Sequence, residues 1–228
     1  MLKISDLHVN YGRREIVHGV TMSVAEGETV GLVAPNGAGK TTVLRAISGL
    51  ASSSGELVYN GASLTGLDAW DRTRLGIRYV GERDALFPTL SVKENVRIAW
   101  RGVGVSKSND IERTLADVGL AEKVNDRAGD LSGGQQRLLT LAMVSAGPPG
   151  LLLLDEPFAG VMPEVRKVIT RYVRHLLNNK KQLATILIDH DLANVWEIAD
   201  RIVVMGLGCV VGEVSTSDGG PEILTEMF

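Results

Sequence analysis

Polar and apolar residues alternate along the first third of the chain, the pattern of half-buried β-strands. The strands predicted here are residues 2–10, 16–24, Thr29–Val33, 56–59 and 76–80. A glycine-rich segment follows the third of these, and residues 41–50 after it repeat apolar positions at helical spacing. This part of the chain is therefore predicted to be rich in strands, with one helix after the glycine-rich segment.

Buried strands and one long amphipathic helix mark the second half. Residues 151–154 are fully apolar, as in a central strand of a parallel sheet that is covered on both faces, and residues 185–188 are predicted to be another buried strand. Pro163 opens a helix in which apolar residues recur at intervals of three and four. A helix at 192–199 and strands at 202–205 and 210–214 follow. Alternating strands and helices predict an α/β domain with a mainly parallel sheet.

The segment 88–130 differs from its surroundings. It is polar, has helical spacing and is interrupted by Gly102 and Gly104. We interpret it as a small helical insert within one domain that covers residues 1–228. A length of 228 residues fits one large domain with such an insert.

Composition narrows the class of protein. An apolar share of 44% provides a packed core, and a net charge of −3 argues against binding nucleic acid through its phosphates. Cys209 is the single cysteine, which excludes an internal disulfide and fits a reducing compartment. The longest uncharged stretch, 138–154, is broken by Gly-Pro-Pro-Gly, and the N-terminus carries no signal-peptide pattern. We therefore expect a soluble, cytoplasmic protein.

The glycine-rich loop between the third strand and the first helix carries the first chemical signal. Gly37 and Gly39 let successive N–H groups face inward at the positive end of a helix dipole, which makes an anion nest. In this pattern Lys40 reaches the β- and γ-phosphates of a nucleotide, and the Thr41 hydroxyl can hold Mg²⁺. The candidate binding residues are Asn36, Gly37, Ala38, Gly39, Lys40, Thr41 and Thr42. The alternative is an ordinary glycine-rich turn that precedes a lysine.

Two adjacent carboxylates, Asp155 and Glu156, follow the apolar strand at 151–154. Ligands of open α/β sheets bind at the carboxyl ends of the strands. Asp155 is placed to hold Mg²⁺ through water, and Glu156 to polarise an attacking water. Because adjacent strand residues point to opposite faces, this role of Glu156 requires the strand to end there, which Pro157 favours. Alone the motif is a common strand end; with the glycine-rich loop it predicts nucleotide hydrolysis.

The sequence LSGGQQR at 131–137 opens another predicted helix. Ser132 is a good N-cap, and Gly133 and Gly134 expose backbone N–H groups at the helix N-terminus, which makes a second anion site. A helix and a turn separate this site from Glu156, so we expect it to act on a nucleotide held by a second molecule related by two-fold symmetry. The alternative is a variant of the capping box.

The LSGGQ sequence, together with PNGAGKTT and LLLLDEP, resembles the ATP-binding subunits of ABC transporters over the whole chain. The segment VGERDALFPTLSVKENV is similar to the branched-chain amino acid uptake type. The resemblance implies a P-loop NTPase fold with an antiparallel β subdomain and a small helical subdomain, and the cofactors ATP and Mg²⁺. It also implies that Ser132, Gly133, Gly134 and Gln135 bind nucleotide, and that Lys40, Glu156 and His190 are catalytic.

Three positions take a role only through this resemblance. Tyr11 resembles the aromatic residue that stacks on adenine, the alternative being a turn tyrosine. Glu82 falls where most members carry a glutamine that touches Mg²⁺ and the membrane partner. His190 resembles the switch histidine that reaches the γ-phosphate, the alternative being a satisfied surface or core histidine. The FAGVM segment at 158–162 occupies the loop that would contact the other subunit.

The implied mechanism is alternating dimerisation, with the motion passed through the helical insert and the Glu82 loop to membrane subunits. The implied partners are a second ATPase subunit, identical or related, separate permease subunits and a solute-binding protein, with the ATPase peripheral on the inner face of the membrane and no nucleic acid bound. The expected solute is a branched-chain amino acid or another small polar molecule. The alternatives are the ATPase of a lipid or lipopolysaccharide exporter and a soluble ABC-type scaffold without transport.

Two features depart from the expected pattern. Ala34 replaces the first glycine of the phosphate-loop pattern, which matters if that position needs a positive φ. The connector Gly147-Pro148-Pro149-Gly150 has no function that the sequence indicates.

Overall fold

The computed structural model describes residues 1–81, 86–105, 108–147, 150–179 and 182–220. Its strands are β1 (Leu2–Tyr11), β2 (Arg14–Val24), β3 (Thr29–Val33), β4 (Ser54–Tyr59), β5 (Ala62–Ser63), β6 (Ile77–Val80), β7 (Leu151–Asp155), β8 (Ala184–Ile188), β9 (Arg201–Gly206) and β10 (Cys209–Ser215). Its α-helices are α1 (Lys40–Ser48), α2 (Ala69–Arg74), α3 (Val92–Gly102), α4 (Ser108–Asp117), α5 (Gly133–Val144), α6 (Pro163–Asn179) and α7 (Leu192–Ile198). Short 3-10 helices lie at Ala121–Lys123, Ala128–Asp130 and Thr216–Asp218.

The chain divides into two units of internal contacts. The first unit consists of Met1–Tyr79, Gly150–Glu156 and Lys181–Phe228. The second consists of Val80–Pro149 and Pro157–Lys180. Each unit is therefore assembled from segments that are distant in sequence.

Two sheets form the framework of the first unit. One is a four-stranded antiparallel sheet in the order β2-β1-β4-β5, and the other is six-stranded in the order β10-β9-β3-β8-β7-β6. In the larger sheet, β8 is parallel to both β3 and β7, β9 is parallel to β3, and β10 is antiparallel to β9. The predicted α/β fold with a mainly parallel sheet is confirmed.

The central strands of the larger sheet are mainly apolar, and every residue of β3, β7 and β8 is buried. In β3, Val30 and Leu32 pack into the core cluster that contains α1 and the antiparallel sheet. Val33, on the opposite face, packs with α7. Gly31 shares this second face, where an added Cβ would collide with Val195 of α7. The helix therefore lies so close to the strand that only glycine fits beneath it.

The described part of the second unit is mainly helical. The indole Nε1 of Trp100, on α3, donates to the carbonyl of Ala142 on α5 at 3.1 Å. Asn95 is fully buried, and its side-chain amide binds the backbone of the turn that precedes α3. Helices α3 and α4 fall within the segment 88–130, whose limits as an insert remain a prediction.

The strand β5 and the helix α2 were not predicted from the sequence. Both are short, and α2 begins after Asp68, whose carboxylate accepts the N–H of Asp71 at 2.9 Å. Six residues of mixed polarity leave too little periodicity to indicate a helix. None of the described helices combines the length and apolar character that a membrane crossing requires.

Candidate active site

The glycine-rich loop leaves β3 and ends where α1 begins. Gly37 has a φ of 80° and Gly39 a φ of 96°, both in the left-handed region that favours glycine. A Cβ on Gly39 would also lie 3.1 Å from the carbonyl oxygen of Ile16. Gly39 is the N-cap of α1, and no side chain caps this helix start. Asn36 is exposed on the loop, whereas Ala38 and Thr42 are buried.

Alanine at position 34 meets no conformational obstacle. The described non-glycine residues with positive φ are Asp6, Asn60, Glu156 and Leu207. The backbone of Ala34 is therefore in a region that any L-residue adopts, and its departure from glycine introduces no backbone strain.

Lys40 is held inside the loop. Its Nζ donates to the carbonyls of Ala34 at 2.7 Å and Pro35 at 3.3 Å, and the residue is only 7% exposed. Burial lowers the pKa of Lys40, and the charges of Glu156 and Asp155 act in the opposite direction. The buried Lys40 therefore lies near two carboxylates, Asp155 and Glu156, inside the first unit. Its positive charge suits a phosphate group, and the carboxylates suit a cation that accompanies the phosphate.

Asp155, the last residue of β7, is 1% exposed and accepts two hydrogen bonds. The Thr41 hydroxyl donates to Oδ1 at 3.0 Å, and the Tyr79 hydroxyl donates to Oδ2 at 2.9 Å. Burial and the charge of Asp155 raise the pKa of Tyr79. Sequence reasoning did not identify Tyr79 as a site residue, because nothing in the spacing shows that residue 79 meets residue 155.

Glu156 turns the chain away from β7. Its φ of 53° is left-handed, and its N–H donates to the carbonyl of Ile188 at 2.9 Å. Such a backbone costs a non-glycine residue about 1–2 kcal/mol. The strand ends at Asp155, as the sequence predicted.

His190 lies in the turn between β8 and α7, next to Asp191, the N-cap of α7. Its Nε2 is 2.8 Å from Oε1 of Glu156. The His190 side chain is 53% exposed and that of Glu156 18%. Two of the three predicted catalytic side chains, those of Glu156 and His190, are therefore in direct contact. They lie at the carboxyl ends of adjacent parallel strands, on the edge where α/β sheets bind ligands.

Tyr11 is the last residue of β1 and is about half exposed. Hydrogen bonding to the hydroxyls of Tyr79 and Tyr11 raises the pKa of Arg45, a residue on α1 that the sequence analysis did not single out. Stacking of Tyr11 on adenine stays a prediction.

The LSGGQ segment lies in the second unit at the start of α5. Ser132 and Gln135 form a capping box: the Ser132 hydroxyl accepts the N–H of Gln135 at 3.4 Å, and Oε1 of Gln135 accepts the N–H of Ser132 at 3.0 Å. The capping box that was the alternative explanation is thus present. It uses the N–H of Gln135 and leaves those of Gly133 and Gly134 as the outward groups of the first turn.

The two glycines of this segment differ in their surroundings. A Cβ on Gly134 would lie 2.9 Å from a methyl group of Val165 on α6, so α6 approaches α5 at this point. A Cβ on Gly133 would meet no heavy atom of the described residues within 4 Å. Gly134 is therefore required by packing, whereas the space in front of Gly133 is open.

Some predicted features lie outside the described residues. These are Glu82 and the two prolines of the connector, Pro148 and Pro149.

The oxygen atoms at the start of α1 and the end of β7 suit a magnesium ion. Thr41 offers a hydroxyl and Asp155 a carboxylate, the donor types that Mg²⁺ prefers. Among the described residues no cluster of three or more His, Cys, Asp or Glu side chains could hold a metal ion. A site with so few protein ligands fits Mg²⁺, which keeps several waters and shares the phosphates of a nucleotide.

Comparison with known proteins identifies the family. The family model described as ABC transporter matches residues 17–159. An uncharacterized ABC transporter ATP-binding protein of Rhizobium meliloti is 34% identical over 223 residues, 95% of this chain and 79% of that protein. The chain belongs to the ABC transporter family, as an ATP-binding subunit with ATPase activity.

Two relatives are import proteins. The sulfate/thiosulfate import ATP-binding protein CysA of Escherichia coli K12 is 31% identical, over 91% of this chain and 58% of its own length. The methionine import ATP-binding protein MetN of Rhizobium johnstonii is 32% identical, over 93% of this chain and 60% of its own length. The chain thus spans less than two thirds of these two relatives.

Solved structures agree in fold. A nucleotide-free ATP-binding cassette from an ABC transporter matches with a TM-score of 0.86 and 24% identity, covering 100% of this chain and 94% of its own. A dimeric post-hydrolysis cassette bound to ADP and Pi matches with a TM-score of 0.85 and 23% identity, covering 95% and 99%. Both show that the chain has the ABC ATPase fold.

Proposed function

We propose that this ATPase energises the import of a small polar solute as one subunit of a membrane transporter. Two of its relatives are named as import ATP-binding proteins, one for sulfate/thiosulfate and one for methionine. The observation that carries the catalytic part is the 2.8 Å contact between His190 and Glu156, close to the buried Lys40.

The proposed hydrolysis uses three side chains of the first unit. Lys40 exchanges its contacts with the loop carbonyls for the β- and γ-phosphates and neutralises charge that builds up in the transition state. Glu156 polarises the attacking water. His190 reaches the γ-phosphate while it remains hydrogen-bonded to Glu156, which holds the carboxylate in a fixed orientation. The adenine of the nucleotide stacks on Tyr11.

Thr41 and Asp155 are the first two proposed contacts of a magnesium ion. Glu82 is the third proposed contact of the ion and also a contact of the membrane partner. When bound, Mg²⁺ neutralises charge on the β- and γ-phosphate oxygens. The role of the chain is to present the Thr41 oxygen and the Asp155 carboxylate at a fixed separation, which the 3.0 Å hydrogen bond between them supports.

A second ATPase subunit, identical or related, completes each proposed site. Its Ser132, Gly133, Gly134 and Gln135 contact the nucleotide bound to Lys40 of the first subunit. Two features support this: the capping box fixes the start of α5, and the space in front of Gly133 is open. A helix N-terminus with outward N–H groups is suited to phosphate oxygens. Binding of ATP would close the pair, and hydrolysis would reopen it.

Permease subunits and a solute-binding protein are the remaining proposed partners, and they place the ATPase on the inner face of the cell membrane. The proposed route of motion runs through the segment 88–130 and the Glu82 loop. The finer hypothesis on the solute, a branched-chain amino acid, rests on the resemblance of the segment that begins at Val80. The names of two relatives refer instead to the import of sulfate/thiosulfate and of methionine.

The test is to purify the tagged chain from gently solubilised membranes and to identify what accompanies it. We expect polytopic permeases to co-purify, together with a second ATPase subunit. Uptake assays with vesicles that contain this complex then show which of leucine, methionine and sulfate is transported. Recovery of the chain from the soluble fraction alone would contradict the transport proposal and favour a scaffold.

A further inference from the structure

Asp155 is a buried carboxylate whose two oxygens are held by different elements. Thr41, on α1, donates to one oxygen at 3.0 Å, and Tyr79, on β6, donates to the other at 2.9 Å. With 1% of the residue exposed, water cannot replace either donor easily. The orientation of this carboxylate therefore depends on both hydroxyl groups.

The direction of each hydrogen bond in this cluster is fixed by chemistry. A carboxylate oxygen accepts, and a phenol hydroxyl can donate. The Tyr79 hydroxyl donates to Asp155, and Arg45 lies beside this tyrosine. Thr41 likewise spends its hydrogen on Asp155 and keeps its lone pairs for a cation.

We propose that Tyr79 is a positioning residue of the ATPase, which orients Asp155 for the divalent cation. The inference rests on the proposed metal-holding role of Asp155 and Thr41. Tyr79 does not touch the cation itself; it removes the freedom of the Asp155 carboxylate to rotate away from Thr41.

A loss of this hydroxyl has a specific expected effect. In Tyr79→Phe, the buried Asp155 loses the Tyr79 hydroxyl as a donor, and the affinity for the divalent cation falls about 10-fold, at the lower end of the range for groups that hydrogen-bond to metal ligands. Nucleotide binding without divalent cation stays unchanged, because Lys40 and the loop are intact.

The experiment titrates Mn²⁺ into protein that holds one equivalent of ADP and follows the free ion by electron paramagnetic resonance. Binding of ADP in EDTA is measured separately for every variant. Tyr59→Phe is the matched control, since it removes the hydroxyl of another buried tyrosine of the first unit. Asp155→Asn tests the proposed metal site itself.

The outcomes are distinct. Weaker Mn²⁺ binding in Tyr79→Phe, with normal Mn²⁺ binding in Tyr59→Phe and normal ADP binding in EDTA, supports the inference. Normal Mn²⁺ binding in Tyr79→Phe alongside weak binding in Asp155→Asn overturns the role of Tyr79 and leaves the metal site standing. No change in either variant overturns both. An equal loss of ADP binding in EDTA overturns the inference in favour of a merely structural tyrosine.

Discussion

Glu156 combines an unfavourable backbone with a carboxylate at the site. Its left-handed φ of 53° follows directly on β7, and the same turn brings the side chain to 2.8 Å from His190. In a continued strand the side chain of Glu156 would point to the face opposite Asp155. The conformational cost is thus linked to the placement of two adjacent carboxylates in one site.

Glu156→Gln replaces one carboxylate oxygen by an amide nitrogen and so tests whether Glu156 activates the attacking water. We expect turnover to fall by about 100-fold or more, because an amide cannot take part in proton transfer from water. ATP binding should persist, because Lys40 and the phosphate loop are unchanged. Phosphate release and nucleotide affinity are the two measurements, with Glu56→Gln, at an exposed position of β4, as the control. Turnover near the wild-type value would rule out Glu156 as the residue that activates water.

His8, which lies outside the candidate active site, makes the free energy of unfolding depend on pH. His8 Nδ1 lies 2.7 Å from Glu15, and its Nε2 lies 3.1 Å from Asp6. These hydrogen bonds, that to Glu15 first, raise the pKa of His8 above its ordinary value of about 6.5. The same contact, again first among the causes, lowers the pKa of Glu15. Protonated His8 thus stabilises the folded state below about pH 6.5, and this stabilisation is lost as the pH rises through the folded-state pKa.

His8→Gln should therefore lower the melting temperature at pH 6, and the difference from the wild type should shrink as the pH is raised above 7. At the acid end, the contribution of Glu15 is lost as the pH falls below its ordinary range. Thermal denaturation from pH 4 to 8 measures both limits. A difference between the two proteins that stays constant over this range would contradict the role assigned to His8.

At the scale of elements, the start of α5 offers a matched pair of glycines. Gly134→Ala places a methyl group 2.9 Å from Val165, and we expect a loss of about 1–3 kcal/mol in the free energy of unfolding from overpacking. Gly133→Ala meets open space and should leave the stability within about 0.5 kcal/mol. Urea denaturation measures both variants.

The same two glycine variants distinguish a role in packing from a role in contacting nucleotide. If Gly133 faces a nucleotide held by the second subunit, Gly133→Ala lowers the ATPase rate of the dimer while the free energy of unfolding is preserved. An unchanged rate in this variant would argue against a nucleotide in front of Gly133. Equal losses of stability in both variants would instead show that the open space is filled in solution.

The turn before α3 depends on one buried side chain. Asn95 accepts the N–H of Phe87 at 2.8 Å and donates to the carbonyls of Phe87 at 3.0 Å and Ser91 at 2.9 Å. Asn95→Ala removes the acceptor of the Phe87 N–H, whereas the carbonyls of Phe87 and Ser91 keep the N–H groups of Leu90 and Asn95. We expect the free energy of unfolding to fall by about 1–3 kcal/mol. Asn10→Ala, at an exposed position of β1, is the control. A loss below about 0.5 kcal/mol would show that water replaces the amide.

For the molecule as a whole, the sequence predicted most of the fold, because long periodic segments and glycine-rich turns dominate it. The helix at Pro163 and the apolar strand before Asp155 were both placed correctly. The contact between Tyr79 and Asp155 could not be predicted, because only the folded sheet brings these two residues together. The open space at Gly133 is likewise a property of tertiary structure.

The N-termini of helices α1 and α5 differ in how they are capped. Helix α5 is capped by its own Ser132 and Gln135, whereas α1 has Gly39 as its N-cap and no side-chain cap. The first N–H groups of α1 can therefore bind partners from outside the helix. If nucleotide binds at the proposed site, its phosphate groups supply these partners, and part of the affinity is the free energy gained by capping α1. The first turn of α1 should accordingly gain protection from amide hydrogen exchange when ADP binds.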